Sequence, residues 1–450
     1  MDQQVSRRNV LKGSAAGVGA FMFLRPDLVK TYAQNEKLNY ALIGVGGRGG
    51  AHVGWSSGSG HIAAICDADR NTLGRVQTRL QKDDKHEAKA YTDYRKLFDE
   101  IGDINACVVA TPDHNHANAA LRAVAKGCAV YCEKPMTYTI GESRALRKAV
   151  LDAKVASQVG NQGHSNEHNR IIVEHVRAGI IGDLKEVHAW TNRPVWPQGV
   201  DRGPTKPVPD HLDWEAWIGP RPFREYHDGL HPFKWRGAWD FGTGALGDMG
   251  CHTFDAPFWA ADLGGTDTLK VVAEQEGMTK ETYPKQAKIS YDVPAHGDFG
   301  DLKVVWYSGG KKPDCPEEIS KKSPLRVSGC LYVGSKGYLK TSGDYGGTPL
   351  CFNLDNELMK PGKDYEKPEK SIPRSKHGHS GDFIEAAKGG DPATSNFEYG
   401  GPLTEFLLIG AVAIRLAGQE LDWNQKDMKF TNVDAANDYV SMPYRKGWEL

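Results

Sequence analysis

Between residues 38 and 160, short apolar runs alternate with helix-like stretches. Five apolar runs have the length and composition of buried strands, and they are Leu38 to Ile43, His61 to Cys66, Ile104 to Ala110, Ala129 to Cys132 and Ala156 to Gly160. Between these runs, apolar and polar residues recur with helical spacing, which predicts helices near 70–81, 93–100 and 117–126. A further helix is expected to begin at Thr139, which forms a capping box with Glu142, and to run to about Lys154. Strands that alternate with helices predict a doubly wound parallel sheet.

The pattern changes beyond residue 160. An amphipathic helix is predicted to end at Gly179, and from Glu186 onward separated β-like runs follow with few helices between them. These runs are Val187 to Thr191, Leu269 to Glu276, Ala287 to Tyr291, Leu302 to Tyr307, Leu325 to Tyr332 and Gly337 to Thr341. They predict a second α/β domain with a mostly antiparallel sheet. We therefore divide the chain into a leader and linker (1–36), a first domain (37–160) and a second domain with C-terminal helices (161–450).

A glycine-rich loop follows the first predicted strand directly and precedes a helix-like segment. It contains Gly44, Gly46, Gly47 and Gly49 with Arg48 between them, in the GxGxxG spacing of a dinucleotide-binding turn. Such glycines allow a tight turn and a close backbone approach to a pyrophosphate at the helix amino end. Arg48 adds a cation there. Asp67 ends the second strand, where a carboxylate accepts the ribose hydroxyls of NAD and repels the extra phosphate of NADP.

Polar residues follow the later strands of the predicted parallel sheet. The run Tyr131-Cys132-Glu133-Lys134-Pro135 places an ammonium group and a carboxylate at the carboxyl edge, where open parallel sheets bind ligands. Thr111, Pro112 and His116 belong to a segment that closes the third apolar strand before the helix at 117–126, and Gln162 follows the last strand. We expect Gln162 to border the cofactor.

A second group of reactive side chains lies at Asp248 and His252. They are four residues apart, so both lie on one helix face if the segment from Met249 onward is helical. The simpler interpretation is a capping aspartate and a half-buried histidine. Hydride transfer from an alcohol favours the functional interpretation, because it needs a base for the hydroxyl proton and a cation for the developing alkoxide. His252 is the candidate base, Asp248 orients its imidazole or binds a second hydroxyl, and Lys134 donates to the reacting oxygen.

Composition limits the classes of partner. The 450 residues contain 56 Lys and Arg against 57 Asp and Glu, so no overall basic field attracts nucleic acid or an anionic membrane. The eight cysteines form no CxxC pair, and few or no disulfides are expected. No acid and cysteine set completes the two HxH pairs, at 114/116 and 377/379, so we predict no metal site.

The amino terminus has the form of an export signal. Ser6-Arg7-Arg8-Asn9-Val10-Leu11-Lys12 is a twin-arginine pattern, followed by an apolar, small-residue run from Gly13 to Leu24 and a cleavage point after Ala33. The run is too short for a stable membrane-spanning helix. The sequence therefore predicts a periplasmic protein of a bacterium, exported by the twin-arginine route.

The glycine loop with Asp67, the segment 111–116, Glu133-Lys134-Pro135 and the pair Asp248 and His252 together resemble the glucose-fructose oxidoreductase, inositol dehydrogenase and rhizopine-catabolism (Gfo/Idh/MocA) family. This resemblance covers the chain from about residue 38 to its end. It implies a Rossmann domain joined to an α/β domain with a large open sheet, NAD or NADP between them, and oxidation of sugar or cyclitol hydroxyls. By this resemblance Lys134, Asp248 and His252 match the family's catalytic positions, and Thr111, Pro112 and His116 match a segment beside the cofactor. Self-association into a dimer or tetramer is also implied.

The substrate side is less defined by sequence. Six tryptophans cluster in or beside an insert that simple members of the family lack: Trp190, Trp196, Trp214, Trp217, Trp235 and Trp239. Indoles stack on the apolar faces of sugar rings, although packing of a long loop is the favoured explanation for any single one of them. We select Trp235 and Trp239, which lie closest to the Asp248 loop, together with His164, as candidate substrate contacts.

Three functions fit the sequence. The first is an exported NAD(P)-dependent oxidoreductase with tightly bound nicotinamide, acting on a sugar, a sugar derivative or a cyclitol. The second is a redox-neutral glycosidase, lyase or epimerase that works through a transient keto-sugar. The third is a sugar-binding protein without turnover, which Lys134, Asp248 and His252 argue against.

Overall fold

A computed structural model of the chain describes residues 37–84 and 86–450. The predicted leader lies outside these residues. The first domain contains a six-stranded parallel sheet in the order β3-β2-β1-β4-β5-β6. Its strands are β1 Leu38–Ile43, β2 Gly60–Cys66, β3 Lys89–Tyr91, β4 Ala106–Val109, β5 Ala129–Cys132 and β6 Ser157–Val159. All five predicted strands are present, and β3 is an additional short edge strand.

Helices cover both faces of this sheet. They are α1 Gly49–Ser59, α2 Arg70–Arg79, α3 Tyr94–Glu100, α4 Asp113–Ala125 and α5 Ile140–Ala153. The predicted capping box at Thr139 and Glu142 is present at the start of α5. The helix α4 begins at Asp113, four residues before its predicted start, so assigning Asp113 to His116 to a loop was wrong. Pro112 precedes the helix and Asp113 puts a negative charge in its first turn, and both favour this earlier start.

The second domain is built on a nine-stranded sheet. Its strands are β7 Leu184–Trp190, β8 Thr268–Glu276, β9 Gln286–Val293, β10 Leu302–Ser308, β11 Gly329–Gly334, β12 Gly337–Ser342, β13 Leu350–Asn353, β14 Leu421–Asn424 and β15 Lys429–Phe430. The order is β13-β12-β11-β7-β10-β9-β8-β14-β15. All described pairs in it are antiparallel except β7 with β10. The mostly antiparallel second sheet is therefore confirmed, with three short strands that the pattern did not reveal.

Seven helices accompany this sheet in the described residues: α6 Glu167–Arg177, α7 Trp214–Ile218, α8 Gly244–Thr253, α9 Asp255–Ala260, α10 Glu317–Lys322, α11 Gly378–Ala387 and α12 Phe397–Arg415. Among the residues described, α12 is the one helix long and apolar enough to cross a membrane, and 83% of its apolar window is buried inside the protein. Buried residues of α12, including Leu407, share a core with Leu246 of α8 and Val271 of β8. It is thus packed as a core helix.

The end of the chain returns to the first domain. Phe383 of α11 packs with Tyr131 of β5, and Trp448 packs against Tyr94 of α3 with the Arg95 guanidinium 3.8 Å from its ring. The insert between β7 and α8 forms its own small apolar cluster, which includes Trp214, Trp217 and Trp235. The two predicted domains are therefore held together by the C-terminal segments as well as by the crossing after β6.

Candidate active site

The glycine loop joins β1 to α1 in a turn that only glycine allows. Gly44 has φ +82°, and a Cβ on it would lie 2.6 Å from the carbonyl oxygen of Ala110. A Cβ on Gly49 would lie 2.0 Å from the Gly44 carbonyl, whereas Gly47 faces open space. The first turn of α1 contains no acidic side chain, so its N–H groups and dipole remain favourable for an anion. The loop fits the pyrophosphate of a dinucleotide.

Asp67 lies directly beneath this loop. Its Oδ2 accepts hydrogen bonds from the backbone N–H groups of Val45 and Gly46, at 3.0 and 3.1 Å, and its Oδ1 accepts from Asp69 N–H at 3.0 Å. Burial raises the pKa of the Asp67 carboxyl, which the three N–H donors oppose. Asp67 therefore shapes the glycine loop as well as lying where the sequence predicts a ribose contact.

His116 connects two of the predicted cofactor segments. Its Nδ1 lies 2.7 Å from the carbonyl oxygen of Pro135 and its Nε2 lies 2.8 Å from that of Thr111. The imidazole is almost wholly buried, so it holds the Lys134-Pro135 segment against the end of β4. The Thr111 Oγ1 is buried without a hydrogen-bond partner, which leaves one polar atom available at this edge. Pro112 serves as the helix-start residue described above.

Glu133 is the centre of a buried network that reaches back to α1. Its carboxylate accepts from Arg48 Nε at 3.1 Å, from His52 Nε2 at 2.9 Å and from the Lys134 backbone N–H at 3.2 Å. Burial alone raises the pKa of Glu133, but these donors outweigh it and hold the pKa well below its ordinary value. The Gln162 side-chain oxygen accepts from Arg48 Nη2 at 3.0 Å. Arg48 thus bridges the glycine loop to the strand ends at Glu133 and Gln162, rather than only flanking the phosphates.

Lys134 forms an ion pair with Asp248 across the two domains. Its Nζ donates to Asp248 Oδ1 at 2.7 Å and to the Asp248 backbone oxygen at 2.9 Å. Burial raises the pKa of Asp248, but the Lys134 ammonium and then the Arg236 guanidinium outweigh burial and lower the pKa to about 2. Asp248 is therefore ionised throughout the physiological range, and it positions Lys134 rather than exchanging protons.

Arg236 is a site residue that sequence reasoning missed. Its Nε lies 3.2 Å from Asp248 Oδ1, and its Nη1 donates to both carboxylate oxygens of Asp113, at 3.0 and 3.1 Å. Its guanidinium also lies 4.4 Å from the Trp235 ring centroid. Asp113 Oδ2 in turn accepts from Thr243 N–H at 3.0 Å and from Thr243 Oγ1 at 2.6 Å, next to the start of α8. Asp113 therefore fixes both the helix that carries Asp248 and the arginine that contacts it.

His252 lies in the last turn of α8, which begins at Gly244, five residues before the predicted helical start. Its imidazole is buried, and burial first and the nearby Lys134 charge second lower the pKa to about 3. His252 Nδ1 has no hydrogen-bond partner in the described protein. Tyr345 packs edge-to-face against the ring at a centroid separation of 4.6 Å. The neutral imidazole therefore has a ring nitrogen whose lone pair can accept a hydrogen bond from a substrate hydroxyl.

The three predicted substrate contacts have different environments. His164 Nδ1 donates to the Asp255 carboxylate at 2.9 Å, and in a buried cluster its ring stacks on Trp259 and packs at a tilt against Tyr399. The Trp235 ring packs against the Arg236 guanidinium, so Trp235 helps to position Arg236. The candidate role of Trp239 was wrong, because its indole donates to the Thr279 carbonyl and lies in the main core against Tyr283 and Arg415.

Two family profiles match this chain. Residues 38–161 match the oxidoreductase family, NAD-binding Rossmann fold, and residues 176–296 match the same family's C-terminal alpha/beta domain. The chain belongs to the Gfo/Idh/MocA family. Its first domain is therefore an NAD-binding Rossmann domain, as the glycine loop and the alternation of strands and helices predicted, and NAD is the cofactor for which that domain is built.

Three curated proteins illustrate the relationship. A levoglucosan dehydrogenase of Pseudarthrobacter phenanthrenivorans is 28% identical over 165 residues, or 36% of this chain and 34% of that protein. An inositol 2-dehydrogenase of Pseudarthrobacter chlorophenolicus is 29% identical over 168 residues, covering 36% and 48%. A glycosyl hydrolase family 109 protein of Stenotrophomonas maltophilia is 26% identical over 226 residues, covering 44% and 48%. The matched region thus spans between about a third and a half of each relative.

A similar two-domain fold extends over most of the chain in structural comparison. The WlbA dehydrogenase of Bordetella pertussis, crystallised with NADH and UDP-GlcNAcA, superposes with a TM-score of 0.57 at 17% identity. The match covers 86% of this chain and 98% of WlbA. At this identity the similarity establishes the fold of both domains together.

Buried histidines give the protein a specific dependence of stability on pH. Burial is the largest cause that lowers the pKa of His114, His252 and His379, to about 4, 3 and 4. Between pH 6.5 and 4 the unfolded chain therefore binds more protons than the folded chain, and stability falls as the pH falls. Each such histidine contributes at most about 1.4 kcal/mol per pH unit.

We expect urea unfolding to show this loss beginning near pH 6.5, above the range where carboxylates protonate. His379→Gln should reduce the pH slope of the unfolding free energy relative to wild type. A free energy of unfolding that stays constant from about pH 7 to pH 5 contradicts the assignment.

Proposed function

We propose that this protein is an NAD-dependent oxidoreductase that transfers hydride between a sugar, sugar-derivative or cyclitol hydroxyl and tightly bound nicotinamide. The observation that carries the proposal is the contact of Lys134 Nζ with Asp248 Oδ1 at 2.7 Å, next to a neutral, buried His252. This set lies at the carboxyl edge of the Rossmann sheet, where the family binds its dinucleotide.

Lys134 stabilises the reacting oxygen. When bound, NAD supplies the acceptor for the hydride of the carbinol C–H bond. The hydroxyl oxygen of the substrate gains negative character as its proton leaves, and the Lys134 ammonium donates a hydrogen bond to it. Asp248 holds the ammonium in place, and Arg236 fixes the carboxylate from its other side.

His252 receives the hydroxyl proton. Because its pKa is lowered to about 3, the imidazole is neutral across the physiological pH range and has a free lone pair. Transfer of the hydroxyl proton to His252, together with the hydride acceptance that bound NAD would supply, would convert the secondary alcohol to a ketone. The proton and the two electrons of the C–H bond are then accounted for.

The proposed substrate class rests on the named relatives, and the proposed cofactor preference rests on Asp67. Relatives named as levoglucosan and inositol dehydrogenases favour a polyhydroxylated ring as substrate. The carboxylate of Asp67 at the end of β2 favours NAD over NADP, since it repels a ribose phosphate.

The second candidate is a redox-neutral glycosidase, lyase or epimerase. The similarity to a glycosyl hydrolase family 109 protein favours it over the third, non-enzymatic function. In this case the ketone acidifies a neighbouring C–H bond, a leaving group departs, and the hydride returns to the same substrate. The same three residues serve both reactions.

One assay separates these candidates. Purified protein is extracted for bound nicotinamide and then mixed with sugars, cyclitols and aryl glycosides while cofactor absorbance and released aglycone are followed together. Accumulation of reduced cofactor supports the oxidoreductase. Aglycone release without net reduction supports the redox-neutral enzyme, and neither signal with any compound contradicts both.

Arg236 provides a test of the geometry around Asp248. Arg236→Met leaves the buried Asp113 carboxylate without a cation and removes one of the two cations that contact Asp248, so we expect a loss of about 3–5 kcal/mol in unfolding free energy and at least a tenfold lower kcat. Arg224→Met is the matched control, because Arg224 lies in the same insert and also contacts two carboxylates, those of Asp240 and Glu281. The control should lose stability without a comparable loss of kcat. Equal kcat in the two variants contradicts the role of Arg236.

Export through the twin-arginine route belongs to the same proposal and rests on the run Ser6 to Lys12. Fractionation of cells that express the full chain should recover the protein in the periplasm, and a variant with Arg7→Lys and Arg8→Lys should stay in the cytoplasm. Equal distribution of the two forms contradicts export by this route. Self-association through the second sheet is likewise an expectation that the native mass will test.

A further inference from the structure

Tyr345 is an exposed aromatic side chain beside the proposed base. It lies in the turn between β12 and β13 and is 38% exposed, whereas Trp235 and Trp239 are buried. Its ring contacts the edge of the His252 imidazole at 4.6 Å between centroids. Its Cβ lies 3.3 Å from the position that a Cβ on Gly163 would occupy, so it also packs on the segment after β6.

The turn that carries Tyr345 is anchored rather than free. Gly346 has φ +70°, and a Cβ on it would lie 2.2 Å from Asn169 Oδ1 on α6. Asn169 Nδ2 donates to Asp255 Oδ2 at 2.9 Å, and Asp255 begins α9 directly after the helix of His252. On the other side, Asp344 lies 4.0 Å from an Arg193 guanidinium nitrogen. The position of the Tyr345 ring is therefore tied to the elements that position His252.

A phenol ring that is partly exposed next to the base offers a flat, apolar surface to a substrate. A pyranose or cyclitol has a continuous face of C–H bonds that packs on such a ring, while an open-chain alditol has none. Resting on the proposed function, we infer that Tyr345 is a specificity-determining residue that stacks against the ring of a cyclic polyol while its carbinol meets Lys134 and His252. The aromatic ring carries this role, and the hydroxyl is not required.

Affinity measurements test the inference without relying on turnover. NAD-loaded protein is titrated calorimetrically with methyl β-D-glucopyranoside, myo-inositol and D-glucitol. Wild type should bind at least one ring compound more tightly than D-glucitol. Tyr345→Ala should lower the affinity for that ring compound by about tenfold and leave the affinity for D-glucitol within about twofold of wild type. The affinity of Tyr345→Phe for the ring compound should stay within about threefold of wild type.

Two matched variants control for general damage. Phe223→Ala removes another exposed aromatic, 59% exposed in the insert, and should leave all three affinities unchanged. Gly346→Ala should lower the affinity for the ring compound as Tyr345→Ala does, because the added methyl group displaces the turn from Asn169. Gly179→Ala introduces the same backbone strain, at φ +69° with open space around it, and should have no effect on affinity.

The outcomes separate this inference from the proposed function. Unchanged ring affinity in Tyr345→Ala, or an equal loss in Tyr345→Phe, overturns the stacking role even if the wild type transfers hydride. Failure of the wild type to bind either ring compound overturns it as well. Tyr345-dependent binding without any hydride transfer supports the inference and contradicts the proposed function alone.

Discussion

Replacing Lys134 with alanine is expected to lower kcat by roughly two to four orders of magnitude. The reason is the position of Nζ, held at the sheet edge by the carboxylate and the backbone oxygen of Asp248. Without the ammonium, the alkoxide character of the substrate oxygen has no fixed cation to stabilise it. The variant also leaves Asp248 with Arg236 as its cationic partner, so the fold is expected to survive.

NAD retention distinguishes a catalytic loss from a binding loss. The Lys134→Ala protein should copurify with the same nicotinamide content as wild type, since the glycine loop and Asp67 are unchanged. Lys134→Arg should not restore kcat, because the longer planar guanidinium cannot occupy the position of a compact ammonium. Lys270→Ala, on the second sheet with a side chain 54% exposed, is the matched control and should keep wild-type kcat. Near-normal turnover in Lys134→Ala would remove Lys134 from the mechanism.

The single variant His252→Ala is also expected to lower kcat by roughly two to four orders of magnitude, because no group then receives the hydroxyl proton. His252→Gln should be equally slow, since glutamine fills the space without accepting a proton at neutral pH. His188→Ala removes a histidine bound to Glu186 and Tyr307 on the second sheet, and it should leave kcat unchanged.

The pH profile tests the same residue in the intact enzyme. With the pKa of His252 lowered to about 3, protonation of this base does not reduce kcat in the range where the protein is folded. Wild-type kcat should therefore show no acidic decline near the ordinary histidine pKa of about 6.5. An acidic limb at that pH that disappears in His252→Gln would show that the imidazole titrates normally, and it would contradict the buried, neutral base.

Local signals in the sequence were sufficient for the first domain. Gly44 and Gly49 stand where a side chain would overlap backbone atoms, and the five apolar strands are short, continuous and buried on both faces, so spacing alone specified them. The sequence placed Lys134, Asp248 and His252 in one group although 114 residues separate Lys134 from Asp248, but it assigned Asp248 to the His252 imidazole or to a second substrate hydroxyl rather than to Lys134. The structure then supplied the 2.7 Å contact.

Other parts of the site depended on tertiary packing that no local pattern encodes. Arg236 lies in an insert with no motif, and its role appears only when Asp113, from a different domain, meets it. Trp239 was selected for its position in sequence next to the glycine run, yet the fold turns its indole toward Tyr283 and the core. Tyr345 lies in a glycine-rich turn nearly a hundred residues after His252, so only the three-dimensional arrangement brings the two rings together.

The buried charges explain why the two domains position one site. Asp113 and Asp248 carry two negative charges, and Lys134 and Arg236 carry two positive charges within one connected set of contacts. Asp113 and Lys134 belong to the Rossmann domain, whereas Arg236 and Asp248 come from the second domain. A paired, neutral set of this kind resists separation, because exposing or unpairing any member leaves a buried charge. The Lys134 ammonium is thereby held at the carboxyl edge of the Rossmann sheet by the same contacts that join the domains.

The central claim is that hydride leaves a substrate carbinol for the bound cofactor in this site. The most direct measurement uses sugars and cyclitols deuterated at the carbinol carbons, a single turnover with the copurified holoenzyme, and mass spectrometry of the extracted nicotinamide. We predict that deuterium appears in the nicotinamide of wild type, under net oxidation or transiently in a redox-neutral cycle, and not in that of Lys134→Ala. Substrate conversion by wild type with no deuterium in the nicotinamide at any time would contradict the claim.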